Sequence, residues 1–167
     1  MKHEKTLVIV DMQNYFLRGS DYGDLSYMIP TFTELILHAM KNQWGIILLE
    51  FSSCGETAKE ITSILQNYDR KVVLEKEEQS GAKLILDFLI SNGWWPTDLI
   101  VCGLYGDECV YRTVNDLLGL SDSIKISIID DMVYPPYPYG CDDPPEESLT
   151  FQKIISKKDK EYEQAIN

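Results

Sequence analysis

Three residues with reactive side chains each follow a stretch that has the pattern of a buried strand. Asp11 ends the apolar run TLVIVD, Lys76 follows KVVLE, and Cys109 comes after DLIVCG and five further residues. Ligands of an open parallel sheet bind outside the carboxyl ends of its strands. An acid, an amine and a thiol would therefore meet at one edge of such a sheet, as a base, a cation and a nucleophile.

Each of these residues also has an ordinary structural explanation. An aspartate after a strand often caps a helix or forms a turn, which explains Asp11 equally well. Lys76 lies among Glu75, Glu77 and Glu78, the setting of a solvated lysine. Cys109 alone has the character of a buried apolar side chain. Only the convergence of the three favours a functional site.

Cys109 stands at the predicted start of a helix, after a turn that contains glycines. The unpaired N–H groups of a first helical turn stabilise a thiolate, so the pKa of Cys109 is predicted to lie below the ordinary value of about 8.5. Lys76 would favour the thiolate further, while Asp11 could accept the thiol proton and return it to a leaving group. Backbone N–H groups of the same turn could face a developing oxyanion.

The elements that must position these residues alternate along the chain. Strands are predicted at residues 6–11, 45–51, 71–75, 98–103 and 124–129 and helices at 57–65, 82–90 and 108–118, with a further helix beginning at Pro30. This alternation is typical of βαβ units with right-handed crossovers. The predicted fold class is α/β, a three-layer α/β/α sandwich with a mainly parallel, Rossmann-like sheet. Neither GxGxxG after the first strand nor GxxxxGK[ST] is present, which argues against nucleotide binding.

Composition excludes several classes of function. The 167 residues suffice for one domain, with 1–133 as its α/β part and 134–167 as a Pro-rich loop and C-terminal segment of the same domain. The net charge of -12 opposes binding to nucleic acid or to anionic membranes. Apolar runs are strand-sized and the N-terminus lacks a secretory pattern, so we expect a cytoplasmic protein without a transmembrane segment. Four cysteines without CxxC spacing and two histidines argue against a zinc site or a disulfide scaffold.

The motifs around the three residues resemble those of the isochorismatase-like cysteine hydrolases, which include nicotinamidases and N-carbamoylsarcosine amidases. The resemblance spans Thr6 to about Val133 and is carried by VIVDMQNYF, EKEEQSGA and VCGLYGDECVYRTVNDLL, the last with the pattern Gly-x5-Cys-Val-x2-Thr. It implies that Asp11, Lys76 and Cys109 form a catalytic triad.

The resemblance also implies further site features. It implies a non-prolyl cis peptide between Leu104 and Tyr105 and an oxyanion hole formed by the backbone N–H groups of Tyr105 and Cys109. Gln13, Phe16 and Tyr105 are the predicted substrate-binding residues. A small-molecule substrate and a homo-oligomer, a dimer or larger, follow as expectations.

One departure from the family concerns the segment after the second strand. Nicotinamidase-like members have an Asp-x-His metal site there, whereas this chain has Glu50, Phe51 and Ser52. We therefore expect no metal and no other cofactor, and nicotinamidase activity is not favoured.

The leading functional hypothesis is hydrolysis of a C–N bond, in an amide or ureido group of a small molecule, through a thioester on Cys109. A first alternative is a catalytically weak or silent family member that acts as a binding partner through its acidic surface and Pro/Tyr-rich loop. A second alternative is vinyl ether hydrolysis of the isochorismate type, which requires no nucleophilic cysteine.

Overall fold

The apolar runs of the chain form the strands of one sheet, and the segments between them form helices. The computed structural model describes residues 5–19, 22–121, 123–136, 138 and 147–154. The strands are β1 (Lys5–Val10), β2 (Gly45–Phe51), β3 (Lys71–Lys76), β4 (Asp98–Leu104), β5 (Lys125–Tyr134) and β6 (Glu147–Leu149). The helices are α1 (Asn14–Gly19), α2 (Ile29–Lys41), α3 (Lys59–Ile64), α4 (Ala82–Asn92) and α5 (Cys109–Leu120), with a 3-10 turn at Ser26–Met28.

The sheet has the strand order β3-β2-β1-β4-β5-β6, and all neighbouring pairs are parallel. β1 and β4 lie at its centre and are buried along nearly their whole length, as their aliphatic sequences require. Their carboxyl ends lie side by side, with Val10 opposite Gly103. The predicted α/β class with a parallel sheet is thus confirmed.

Alternate residues of β1 face two separate core layers. Leu7 and Ile9 pack with residues of α2 and α3, and Val8 and Val10 pack with residues of α4 and α5. Strand side chains alternate between the faces of a sheet, so an all-apolar strand supports a layer on each side. The predicted three-layer arrangement follows from this division of the core.

The structure differs from the prediction at β5 and β6. The pairing of β5 with β4 jumps from Val101 opposite Ile128 to Gly103 opposite Val133, so a bulge extends β5 beyond its predicted end. β6 is three residues long, too short for a hydrophobic period to reveal. It lies in the segment 134–167, whose other described residues include the buried Phe151 and Ile154. Residues 137, 139–146 and 155–167 of that segment lie outside the described residues.

Candidate active site

β1 delivers Asp11 to the carboxyl edge of the sheet in a left-handed backbone conformation. Its φ is +55°, and its N–H donates to the carbonyl of Leu49 in β2 at 2.9 Å. The side chain is fully buried. Non-glycine residues rarely adopt this conformation outside turns and functional sites. The hydrogen bond to Leu49 holds the backbone in this conformation and thereby fixes where the carboxylate lies.

Gly103 allows β4 to approach β1 directly beside this turn. It has a φ of +132°, and a Cβ at this position would overlap the backbone of Val10. A glycine is therefore required for both conformation and space. This close approach brings the turn that leads to Cys109 next to the turn that carries Asp11.

Lys76 reaches the same place from two strands away. It ends β3, which is separated from β1 by β2, so its side chain must cross roughly two inter-strand spacings of about 4.8 Å each. Its Nζ lies 3.1 Å from Asp11 Oδ2 and 3.4 Å from Cys109 Sγ. The three residues that the sequence predicts as a triad are thus brought together in one cluster.

The cluster is almost closed to solvent. Asp11 and Lys76 are 0% and 1% exposed, while Cys109 keeps 5% of its surface exposed. Asp11 Oδ1 is buried and accepts no hydrogen bond from a described nitrogen or oxygen. Cys109 is therefore the member of the cluster that retains contact with solvent, while Asp11 and Lys76 are closed to it.

Burial determines the proton affinities of the cluster. Desolvation raises the pKa of Asp11 from its ordinary value, and Lys76 and a hydrogen bond from Cys109 oppose that rise. Desolvation and the Asp11 carboxylate raise the pKa of Cys109 to about 12, against the smaller lowering effect of Lys76. The prediction of a lowered cysteine pKa is wrong, because burial and the neighbouring negative charge raise the pKa of Cys109 by more than the ammonium lowers it.

The turn before α5 supports only part of the predicted oxyanion hole. Among the described residues, the cis peptide bond is Tyr134–Pro135, so the predicted cis Leu104–Tyr105 bond is wrong. The Tyr105 N–H donates to the Tyr134 carbonyl at 2.7 Å, which continues the β4–β5 pairing and occupies that group. The Cys109 N–H makes no hydrogen bond to a described residue and stays available.

The predicted substrate contact of Gln13 is also wrong, because its side chain forms hydrogen bonds with main-chain atoms instead. It is fully buried, its Oε1 accepts from Phe51 N–H at 2.7 Å, and its Nε2 donates to Phe51 O at 2.9 Å. Nε2 also donates to Gly55 O. Both amide hydrogens are thus used within the protein. Gln13 secures the loop after β2.

Aromatic side chains form a cluster beside the cysteine. The Phe16 ring lies 5.1 Å from that of Tyr105 and 6.5 Å from that of Phe51. Tyr22 contacts Tyr105 at 6.0 Å between ring centroids and is 40% exposed. Phe16 and Tyr105 are half-buried, so their predicted contact with a substrate is compatible with where they lie and stays a prediction.

Sequence reasoning missed the contribution of β2 to the site. The Lys76 ammonium lies 4.4 Å from the centroid of the Phe51 ring. Glu50 is buried, accepts the Thr57 N–H at 2.7 Å, and contributes to the raised pKa of Asp11. The strand register could have revealed the contact between Phe51 and Lys76, because two parallel strands that end together place these residues directly opposite each other.

The residues at the end of β2 do not fit a metal ion. Glu50 Oε1 is occupied by the Thr57 N–H, and the next two positions are Phe51 and Ser52. Within the described residues, no three His, Cys, Asp or Glu side chains are grouped as metal ligands would be.

A separate cavity of about 310 Å³ is lined in part by Tyr134, whose ring lies 5.7 Å from that of Tyr22. Its lining includes Tyr27, Phe32, Asp130, Asp131 and Tyr134, but none of the three clustered residues. Burial and the neighbouring Asp131 raise the pKa of Asp130. The cavity therefore adjoins the site through Tyr134 without containing its sulfur.

The ion pair between Lys76 and Asp11 yields a stability prediction. Lys76→Met leaves the Asp11 carboxylate buried without a cation, and loss of one partner of a buried pair typically costs about 3–5 kcal/mol. Urea unfolding at pH 7 should show a loss of this size. Lys83→Met removes the exposed partner of Asp87 and should cost no more than about 1 kcal/mol.

The pH dependence of this loss has a defined sign. The pKa of Asp11 is raised in the folded protein, so lowering the pH neutralises the buried carboxylate there before it does so in the unfolded chain. The difference between Lys76→Met and wild type should therefore shrink as the pH falls through the folded pKa of Asp11. A loss that does not vary with pH would contradict this assignment.

The parallel α/β sheet with Asp11, Lys76 and Cys109 together at its carboxyl edge is the arrangement that the resemblance to isochorismatase-like proteins implies. The sequence model of the isochorismatase domain matches residues 5–121. The chain therefore belongs to the isochorismatase family, as its motifs predict. No curated protein matches its sequence.

Solved structures share this fold. N-carbamoylsarcosine amidase from Thermoplasma acidophilum has 22% identity and a TM-score of 0.62 over 84% of this chain and 87% of its own. The nicotinamidase from Staphylococcus aureus has 15% identity and a TM-score of 0.64 over 83% and 87%. The MAR1 ribonuclease from Caenorhabditis elegans has 22% identity and a TM-score of 0.64, covering 78% of this chain but only 64% of its own. At these identities the likeness concerns the fold.

No described helix has the length and apolar character needed to cross a lipid bilayer.

Proposed function

We propose that this protein is a cysteine-dependent hydrolase that cleaves a C–N bond in an amide or ureido group of a small molecule. The observation that carries the proposal is the contact of one buried ammonium, Lys76 Nζ, with both the Asp11 carboxylate and the Cys109 sulfur, at 3.1 and 3.4 Å. These groups would supply a base, a cation and a nucleophile, with the base and the nucleophile each in contact with the same ammonium. The amidases among proteins of this fold support the same class of reaction.

The first half of the reaction forms a thioester. Cys109 rests as a thiol because its pKa is raised, and Asp11 takes the thiol proton as sulfur attacks the carbonyl carbon. The raised pKa of Asp11 makes it a stronger base than an exposed carboxylate. Collapse of the tetrahedral adduct breaks the C–N bond, and the proton on Asp11 passes to the departing nitrogen.

The second half restores the enzyme. Asp11 removes a proton from water, the water oxygen attacks the thioester carbon, and the acid product leaves with its carbonyl restored. The Cys109 thiolate forms beside the Lys76 ammonium, which stabilises it until it regains a proton from Asp11. The open Cys109 N–H is the backbone donor available to an oxyanion in both halves.

The proposal is tested by trapping the thioester. Purified protein is incubated with a panel of small primary amides, ureido compounds and vinyl ethers, quenched in acid, and measured by intact-protein and peptide mass spectrometry. We expect an acyl adduct on the Cys109 peptide, with Cys54, Cys102 and Cys141 unmodified, and release of ammonia or an amine. Cleavage of a vinyl ether without an adduct, or adducts distributed over all four cysteines, would contradict the proposal.

A second candidate is a weak or silent family member that binds a partner through its acidic surface. It is favoured by the occupied Tyr105 N–H and by the raised pKa of Cys109. In that case no compound in the panel would be cleaved. Assembly into a homo-oligomer stays a prediction for either candidate, and light scattering of the purified protein tests it.

A further inference from the structure

The aromatic ring of Phe51 lies against the ammonium that joins Asp11 to Cys109. Phe51 ends β2 directly opposite Lys76 of β3, and the Lys76 side chain passes over its ring on the way to β1. The ammonium is 4.4 Å from the ring centroid, within the range of a cation–π interaction. Phe51 therefore contacts the same ammonium that contacts Asp11 and Cys109.

The side chain of Gln13 holds the backbone of Phe51 through hydrogen bonds. The side-chain amide of Gln13 bonds both the N–H and the carbonyl of Phe51, and it reaches Gly55 as well. Gln13 is fully buried, so these bonds are shielded from water. Because the bonds involve main-chain atoms, a change of the Phe51 side chain leaves them in place.

We propose that Phe51 is a positioning residue that holds the Lys76 ammonium between Asp11 and Cys109 through the face of its ring. Lys76 ends an edge strand, and without a fixed contact its four-carbon stem has freedom to swing away from the sulfur. The ring restricts this freedom while it excludes water. This inference rests on the proposed function only in taking Cys109 as the reactive group, and its test requires no substrate.

The competing explanation is that Phe51 fills space as any apolar side chain would. The two explanations differ in what the ring's electrons contribute. Leucine and methionine provide apolar volume without a π face, whereas tyrosine keeps the face. A positioning role predicts that Phe51→Tyr behaves like wild type and that Phe51→Leu and Phe51→Met do not.

The test measures alkylation of Cys109 by iodoacetamide between pH 7 and pH 10, with peptide mass spectrometry to separate it from Cys54, Cys102 and Cys141. Because Lys76 lowers the pKa of Cys109, loss of its position should reduce the thiolate fraction. We expect the rate at a given pH to fall about 5- to 30-fold in Phe51→Leu and Phe51→Met and to stay within about twofold in Phe51→Tyr.

Phe88→Leu is the matched control. Phe88 is also half-buried, and its ring packs on that of Trp94 with 5.0 Å between the centroids, whereas the ring of Phe51 packs on the Lys76 ammonium. It should lose a comparable apolar contact without changing Cys109 alkylation. An unchanged rate in both Phe51→Leu and Phe51→Met, or an equal fall in Phe51→Tyr, would overturn the inference. If the panel finds no substrate but Phe51→Leu slows alkylation and Phe51→Tyr does not, the positioning role stands and the hydrolase proposal alone fails.

Discussion

Cys109→Ala is expected to lower turnover of the best amide substrate by at least about 10³-fold. The substitution removes the atom that forms the thioester, and loss of a catalytic nucleophile costs several orders of magnitude in enzymes that act through acyl intermediates. The remaining rate would come from Asp11 acting on water and from substrate binding alone. The measurement is kcat/KM for wild type and variant, together with the absence of an acyl adduct in the variant.

Cys54→Ala is the matched control for this change. Cys54 is a half-buried cysteine in the loop after β2, close in sequence to the Gly55 carbonyl that Gln13 holds. Its loss should leave kcat/KM within about threefold of wild type, the range of an ordinary substitution outside the chemistry. Turnover that survives in Cys109→Ala would mean that another group attacks the substrate, and the thioester route would be wrong.

The fold of this chain follows from its sequence where patterns are long. Aliphatic runs in β1 and β4 predict central parallel strands, and their ends place Asp11 and Gly103 together. The convergence of Asp11, Lys76 and Cys109 was predictable for the same reason, because parallel strands share one carboxyl edge.

Features that depend on exact backbone geometry were not predictable. Whether the Tyr105 N–H faces a substrate or the Tyr134 carbonyl is decided by the β5 bulge, which has no periodic signal. Gln13 is a polar residue two positions after Asp11. Only the path of the backbone at the end of β2 shows that the Gln13 side-chain amide is hydrogen-bonded to main-chain atoms. The pKa of Cys109 depends on depth of burial, which a sequence does not give.

Thr113, at the end of the cysteine motif, has a structural role. Thr113 lies one turn after Cys109 on α5, is fully buried, and accepts the Gly81 N–H through its Oγ1 at 3.0 Å. Gly81 immediately precedes α4, the helix that follows Lys76 along the chain. The bond therefore joins the helix that carries Cys109 to the segment between Lys76 and α4.

Asp11→Asn should separate catalysis from thiol reactivity by moving them in opposite directions. Turnover should fall by at least about 10³-fold, because asparagine accepts no proton from the thiol and returns none to the leaving nitrogen. Alkylation of Cys109 should instead become faster at pH 8. The Asp11 carboxylate raises the pKa of Cys109, so its removal lowers that pKa from about 12 and leaves the Lys76 ammonium to stabilise the thiolate alone. Each unit of decrease gives about tenfold more thiolate at a pH below the pKa.

Asp87→Asn, an exposed change, should alter neither rate. Slower alkylation in Asp11→Asn, with the fold intact by circular dichroism, would show that the carboxylate supports the thiolate rather than opposing it, and the assignment of Asp11 as the base for a resting thiol would be wrong.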